Sequence, residues 1–313
     1  MSLIFFIYLS RNLKFIKMAT LKKEDISQEV FDLYDDYAHN KITRKQFLEK
    51  LSMYAVGAIT LPALLSFISP NYIDSIIVAE DDPRLDSKMI TYDSPKGGKK
   101  IDGLLSIPKD KDGKVPGIVV VHENRGLNPY IKDTGRVAAL DGFITLAPDA
   151  LTPLGGYPGN DDQGRAMQRK RDRLEMLEDF IAAYNYLKNH KKCTGKVGVV
   201  GFCFGGWISN MMAVQVSGLG AAVPYYGRQP NDEMAAQIKA PLLLQYGELD
   251  KRVNAGWPAF EKVLKANNIE HTAHFYPNAN HGFHNNTTPR YKKDAAELSW
   301  KRTIDFFKNH LKG

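Results

Sequence analysis

Cysteine is scarce in this sequence. The 313 residues include two cysteines, Cys193 and Cys203, which are too few for a disulfide framework. Neither belongs to a C-x-x-C pair or to a cluster of cysteines and histidines, so no zinc site is indicated. A reactive thiol persists best in a reducing compartment. We therefore expect a cytoplasmic protein without a metal site.

Long hydrophobic runs are also lacking. Segment 3–9 is apolar, but the basic residues Arg11, Lys14 and Lys17 follow it instead of preceding it. That order is wrong for a secretory signal, and the segment is too short to span a bilayer. Met18 is an alternative start of translation, because Met-Ala-Thr opens a typical soluble sequence.

A second apolar run extends from Met53 to Ile68 and contains Pro62. As a helix it would reach about 24 Å, short of the ~30 Å hydrocarbon core of a bilayer. Segment 43–48 before it resembles a twin-arginine export signal with lysine in place of the second arginine, but no A-x-A cleavage site follows. We expect a packed helix and no membrane contact. Export, or anchoring of an enzyme at a membrane surface, is the alternative.

Basic residues are in excess, but they are not concentrated. The formal net charge is +7, which raises the question of a nucleic-acid partner. The densest basic stretch, 169–173, contains Asp172 and is followed by Glu175, Glu178 and Asp179. No zinc-finger spacing or aromatic RNA-binding signature accompanies it. We expect a solvated surface and no nucleic-acid partner.

Residues 1–83 are predicted to form an N-terminal helical extension. Apolar side chains recur at helical spacing at Ile26, Val30, Leu33, Tyr34 and Tyr37. Thr43 and Gln46 have the spacing of a capping box, and a further apolar stripe follows. Such helices cover a core or a subunit interface, so a homo-oligomer formed through them is possible.

Residues 84–313 alternate between strand and helix patterns. The predicted strands are 88–92, 101–107, 117–121, 143–146, 197–202, 221–225, 241–246 and 271–276, and the predicted helices are 130–140, 163–190, 204–216, 255–267 and 291–311. This alternation predicts an α/β fold with a mostly parallel sheet flanked by helices. Ligands of such sheets bind at the carboxyl ends of the strands.

The strongest local motif is Gly-Phe-Cys-Phe-Gly-Gly at 201–206. It follows an apolar strand and precedes a helix, which is the context of the G-x-S-x-G nucleophile elbow with sulfur in place of oxygen. A thiol at a helix N-terminus is biased toward thiolate. The motif predicts that Cys203 is a nucleophile; the alternative is a glycine-rich turn around a buried cysteine.

Two further strand ends carry groups that complete a triad. Asp250 follows strand 241–246, and His281 follows strand 271–276. The order nucleophile, acid, base is that of α/β-hydrolases and differs from the orders in chymotrypsin and subtilisin. Glu248 is the rival for the acid.

The loop after the strand 117–121 reads His-Glu-Asn-Arg-Gly. In this fold that loop donates one N–H to the oxyanion hole, and the residue after the nucleophile donates the other. We expect Asn124 and Phe204 to supply them.

Residues 85–311 resemble the dienelactone hydrolase (carboxymethylenebutenolidase) family. The matching pieces are the strand and loop ending in Glu123, the motif 201–206, Pro-Tyr-Tyr-Gly at 224–227, Asp250, and His-Gly-Phe at 281–283. The resemblance implies an α/β-hydrolase with a Cys203, His281 and Asp250 triad. It also implies that Glu123 contacts the resting thiol and helps to activate it when substrate binds.

The chain departs from the family pattern in its cationic residues. Well-known members hold a substrate carboxylate with two arginines, yet this chain has His-Asn-Asn at 284–286 near one of those positions. Arg125, Arg228 or Arg290 could supply a cation instead. The predicted substrate-binding residues are Arg125, Arg228 and Tyr226.

The sequence thus predicts a hydrolase that opens a small ester or lactone through a cysteine thioester, with no metal or organic cofactor. The alternative is a non-catalytic homologue that binds a small molecule.

Overall fold

The computed structural model describes residues 21–57 and 59–311. The expectations about segment 3–9 and a start at Met18 lie outside the described residues. The chain divides into two compact units, Met1–Ser69 and Pro70–Gly313, and each is described by itself. This division lies before the predicted domain boundary at 83/84.

The first unit contains the helices α1 (Gln28–Ala38), α2 (Arg44–Ser52) and α3 (Leu61–Ile68). The capping box predicted at α2 is present: Thr43 Oγ1 accepts from the Gln46 N–H at 3.2 Å, and Thr43 N–H donates to Gln46 Oε1 at 2.9 Å. Apolar side chains of the three helices form their own small core, which includes Val30, Phe47 and Leu64.

The prediction of one packed helix over Met53–Ile68 was wrong in its extent. Only Leu61–Ile68 is helical, and Met53 and Val56 are largely exposed. Proline has no N–H to donate and fits the first turn of a helix, so Pro62 sets the helix start beside the capping residue Thr60. Among the described residues, no helix is long and apolar enough to cross a membrane.

The stretch before residue 84 is also less helical than predicted. Residues 70–84 belong to the second unit and contain neither helix nor strand. The Asp133 carboxylate accepts the backbone N–H groups of Ile77 and Val78 at 2.9 and 2.8 Å. These hydrogen bonds replace those that a helix would form, and they hold residues 70–84 against the rest of the second unit.

Eight strands form one sheet in the described part of the second unit. They are β1 (Leu85–Ser94), β2 (Lys99–Pro108), β3 (Val115–Val121), β4 (Ile144–Pro148), β5 (Cys193–Phe202), β6 (Ala222–Tyr225), β7 (Leu242–Gly247) and β8 (His271–Tyr276). Their order is β1-β2-β4-β3-β5-β6-β7-β8. Strands β3 to β8 pair in parallel, whereas β1 pairs with β2 and β2 with β4 in antiparallel fashion. Each predicted strand is present, with its ends shifted by a few residues.

Helices cover both faces of the sheet. They are α4 (Pro129–Leu140), α5 (Asp161–Gln168), α6 (Arg173–Lys188), α7 (Phe204–Gln215), α8 (Asp232–Ala235), α9 (Lys251–Asn254), α10 (Trp257–Ala266) and α11 (Lys293–His310). The predicted helix 163–190 is two helices, because the Asp172 side chain caps a new start at Leu174 and Glu175.

The central strands are buried on both faces, as expected for a parallel sheet between helix layers. Register places Val121 beside Gly201, Phe202 beside Tyr225, and Gly247 beside Tyr276. The carboxyl ends of these strands therefore meet at one edge, where the loops that carry the candidate catalytic residues begin.

Candidate active site

Cys203 lies at a strained turn between β5 and α7. Its backbone has φ 58° and ψ −109°, a combination that few residues other than glycine adopt. The Cys203 N–H donates to the Tyr225 carbonyl at 3.1 Å, which ties the turn to the neighbouring strand. The side chain is buried. This is the backbone geometry predicted for a nucleophile elbow.

The glycines around the cysteine are required by close packing. A Cβ on Gly206 would lie 2.5 Å from the Tyr225 carbonyl oxygen, and a Cβ on Gly205 would lie 2.8 Å from the His122 carbonyl oxygen. Real Cβ atoms do not approach so closely, and the obstructing atoms belong to the backbone. The turn therefore presses directly against the ends of β3 and β6.

Gly205→Ala is expected to destabilise the fold by about 3 kcal/mol or more, because the added methyl group must displace backbone. Gly135→Ala is the matched control. It lies inside α4, where the nearest atoms would be 3.7 and 3.8 Å away, and it should stabilise the protein by about 0.5–1 kcal/mol. Urea unfolding measures both. Similar stabilities for the two variants would contradict the tight elbow.

His281 and Asp250 are in direct contact. His281 Nδ1 lies 2.6 Å from Asp250 Oδ2, and both side chains are buried. A ring nitrogen of His281 lies within 4.8 Å of Cys203 Sγ. A carboxylate only accepts hydrogen bonds, so it fixes the proton on Nδ1 and turns the unprotonated Nε2 into the available base.

The geometry distinguishes Asp250 from its rival, Glu248. Asp250 Oδ1 also accepts the Val253 N–H at 3.2 Å, so the carboxylate caps α9 and is held in place from both sides. Glu248 Oε2 accepts the backbone N–H of Asn278 at 2.9 Å instead. Asp250 is therefore the carboxylate that orients the imidazole.

Arg252 is a neighbour of the histidine that sequence reasoning missed. Its Nη2 lies 3.3 Å from His281 Nδ1. Because Nδ1 donates to Asp250 at the shorter distance, the contact with arginine is electrostatic. No periodicity or motif marks this arginine. Its place as the second residue of α9, directly after Asp250 and Lys251, was the available signal.

The loop after β3 is anchored by a buried histidine. His122 Nδ1 donates to the Glu123 carbonyl at 2.6 Å, and its Nε2 accepts the Ala150 N–H at 3.2 Å. Burial lowers the pKa of His122, so the ring stays neutral with one donor and one acceptor. The contact locks the β3 loop to the end of β4.

Glu123 is buried within a network of polar groups. Its Oε2 accepts Asn285 Nδ2 at 3.1 Å and lies 3.5 Å from Arg125 Nη2. Arg125 Nη1 in turn donates to Asp161 at 2.7 Å. The hydroxyls of Tyr72 and Tyr157 also donate to the Asp161 carboxylate, at 3.0 and 2.9 Å. Asn285, Asp161 and the tyrosines come from distant segments, and no sequence pattern connected them to Glu123.

The predicted substrate-binding residues occupy different environments. Arg125 is buried between Glu123 and Asp161, so its charge serves to position Glu123. Arg228 is exposed, and Arg290 is buried against Gly282. Tyr226 packs on the His281 ring with centroids 4.9 Å apart. Burial raises the pKa of Tyr226 well above its ordinary value, so its hydroxyl stays protonated.

The two expected oxyanion donors lie at the start of α7 and in the loop after β3. Phe204 is the first residue of α7, and the N–H groups of a first helical turn have no acceptor within the helix. Asn124 lies in the loop fixed by His122 and is partly exposed.

Residues 101–311 match the model of the dienelactone hydrolase family. The chain belongs to this family. Members hydrolyse esters or lactones, and this chain is accordingly an ester or lactone hydrolase. Residues 18–57 match a separate model described as YqhI-like.

Individual proteins that are similar to this chain support its assignment to the dienelactone hydrolase family. "Putative hydrolase fragment YghX" of Escherichia coli (strain K12) is 50% identical over 113 residues, covering 36% of this chain and 97% of the relative. "Putative carboxymethylenebutenolidase" of Saccharolobus solfataricus is 29% identical over 259 residues, covering 71% and 98%.

Solved structures share the fold. The dienelactone hydrolase-like promiscuous phosphotriesterase P91 from metagenomic libraries has a TM-score of 0.64 at 23% identity, and the match covers 73% of this chain and all of P91. The predicted α/β-hydrolase fold is therefore confirmed.

Proposed function

We propose that Cys203 is the nucleophile of this hydrolase and that the reaction passes through a thioester. The observation that carries the proposal is that Asp250 contacts His281 while a ring nitrogen of His281 lies within 4.8 Å of Cys203 Sγ. These residues come from three loops that the parallel sheet brings to one edge. An ordinary glycine-rich turn would have no reason to lie beside an oriented imidazole.

The proposed first step is acylation. Cys203 sulfur attacks the carbonyl carbon of a small ester or lactone, and the carbonyl oxygen becomes an oxyanion facing the N–H groups of Asn124 and Phe204. The tetrahedral intermediate collapses as the alkoxide leaves. His281 gives the proton it took from the thiol to that oxygen, which produces an alcohol and a thioester.

The second step is hydrolysis. His281 Nε2 removes a proton from water, and the hydroxide attacks the thioester carbon. The acid product departs, and the thiolate of Cys203 regains its proton from His281. A free thiol is only a few per cent ionised at neutral pH, so activation matters. We assign that activation to His281 together with Glu123, which Arg125 and Asn285 hold in place.

Trapping the acyl group tests the thioester. Enzyme mixed with p-nitrophenyl acetate and quenched in acid should carry an acetyl group on the peptide that contains Cys203, and neutral hydroxylamine should remove it. Cys203→Ser should form an ester, which resists mild hydroxylamine. Substrate binding without turnover or acetylation would refute the proposal and favour a non-catalytic binding protein.

We also propose a cytoplasmic location. Neither Cys193 nor Cys203 forms a disulfide, and a nucleophilic thiol requires reducing surroundings. A homo-oligomer formed through the helices of the first unit, and the absence of a nucleic-acid partner, remain proposals from the sequence.

A further inference from the structure

A cavity of about 450 Å³ lies between α4 and α11. All the residues that line it belong to the second unit, and Cys203, Asp250 and His281 are not among them. This volume lies within the range of small-molecule sites, which are about 300–1,000 Å³. The proposed function does not use this cavity.

The walls of the cavity are mainly apolar. Val137, Trp300, Ile304 and Ile77 all line it, and Ile77 is 69% exposed. The carboxylates in the wall have partners within the protein: Asp133 accepts the N–H groups of Ile77 and Val78. Asp141 accepts Trp300 Nε1–H at 3.1 Å.

His284 supplies the polar group of the interior. Its Nδ1 lies 2.7 Å from the Tyr130 hydroxyl, and both residues line the cavity. Burial lowers the pKa of His284 to about 3, so the ring is neutral. Burial also raises the pKa of Tyr130 well above its ordinary value, so the hydroxyl keeps its proton. We assign that hydroxyl as the hydrogen-bond donor to an unprotonated Nδ1. The ring proton is then on Nε2, for which the described residues provide no acceptor.

The charges around the cavity select against anions. Four acidic residues line it, against two lysines; they are Asp133, Asp141, Glu297 and Asp305, and Lys301 and Lys308. Lys301 is already paired with Asp305 at 2.5 Å. A ligand must therefore bring apolar surface and one hydrogen-bond acceptor for His284, without a negative charge.

We propose that the cavity between α4 and α11 is a second ligand site that binds an uncharged, largely apolar molecule through a carbonyl or similar acceptor. The site backs onto the elbow: the His284 ring packs on Phe202, the residue before Cys203, with centroids 5.1 Å apart. It also packs on Tyr225, the residue before Tyr226, at 5.1 Å. Binding at this site does not require the proposed thioester chemistry.

The test uses 6-propionyl-2-(dimethylamino)naphthalene, an uncharged ketone whose emission shifts to the blue in apolar surroundings. Saturable binding to the full chain is expected, with quenching of tryptophan emission because Trp300 lies in the wall. Ile77→Asn should weaken binding about fivefold, the effect of about 1 kcal/mol of lost apolar contact. Ile73→Asn is the matched control: Ile73 is exposed on the same segment but does not line the cavity.

Two further measurements separate this site from the catalytic one. His284→Phe should weaken binding about fivefold or more through loss of the hydrogen bond. Alkylation of Cys203 with iodoacetamide should leave binding intact. Absence of saturable binding, equal effects of the two isoleucine variants, or loss of binding on alkylation would each overturn the proposal. Because both isoleucines are exposed, those variants are expected to fold.

Discussion

Cys203→Ala is expected to lower kcat/KM for p-nitrophenyl acetate and for an enol-lactone by about a thousandfold or more. Removing the nucleophile of a triad leaves only the oxyanion donors and substrate binding to accelerate the reaction. Alanine differs from cysteine by one sulfur atom and places no new atoms in the turn, so the fold should persist. Steady-state hydrolysis measures the effect, and thermal unfolding verifies the fold.

Cys193→Ala is the matched control for this experiment. Cys193 is the other cysteine of the chain, and it lies at the start of β5, where Gly195 N–H approaches its sulfur at 3.4 Å. Burial raises the pKa of the Cys193 thiol, which keeps it protonated and unreactive at neutral pH. Iodoacetamide should therefore label Cys203 and spare Cys193. Equal activity of wild type and Cys203→Ala would refute the cysteine mechanism.

Asp250→Asn is expected to lower kcat by about 10³- to 10⁴-fold with little loss of stability. Asparagine can still accept the Val253 N–H with its side-chain oxygen, so the start of α9 survives. Its amide group can donate to His281 Nδ1, however, which moves the ring proton to Nε2 and removes the base. The loss should be smaller at high pH if thiolate forms without help from the histidine.

Glu248→Gln provides the comparison within the same loop. Its side chain accepts a backbone N–H from Asn278 and does not contact the imidazole. Its kcat should remain within about twofold of the wild-type value, as is usual for surface changes away from the chemistry. A larger loss in Glu248→Gln than in Asp250→Asn would identify Glu248 as the acid.

The residues of the candidate site that could be predicted are those marked by a local sequence pattern. Cys203, Asp250 and His281 each follow a recognisable strand, and the carboxyl ends of parallel strands share one edge of the sheet. The choice between Asp250 and Glu248 was not local, because two residues in one loop differ only in the direction of their side chains. That direction is set by the capping bond at α9 and by the position of Asn278.

The part of the candidate site that the sequence did not predict depends on packing between segments that are distant in the chain. Arg125 looked like a cation available to substrate, but Asp161 and Glu123 flank it in the folded protein. Asp161 begins a short helix and Asn285 lies in an irregular loop, and neither position carries a periodic signal. Similarly, the predicted helix over Met53–Ile68 failed because hydrophobicity alone does not locate a helix start, whereas Pro62 and Thr60 do.

The arrangement of the strands has a consequence for biosynthesis. The proposed nucleophile, Cys203, follows β5, but its proposed base, His281, follows β8, a later strand at the far edge of the sheet. A growing chain therefore exposes its thiol-bearing turn well before the imidazole has been translated, and the two meet only after the final parallel strand docks. Because such long-range pairing is slow, the thiol of a nascent chain lacks its proposed base until β8 and the loop after it are in place.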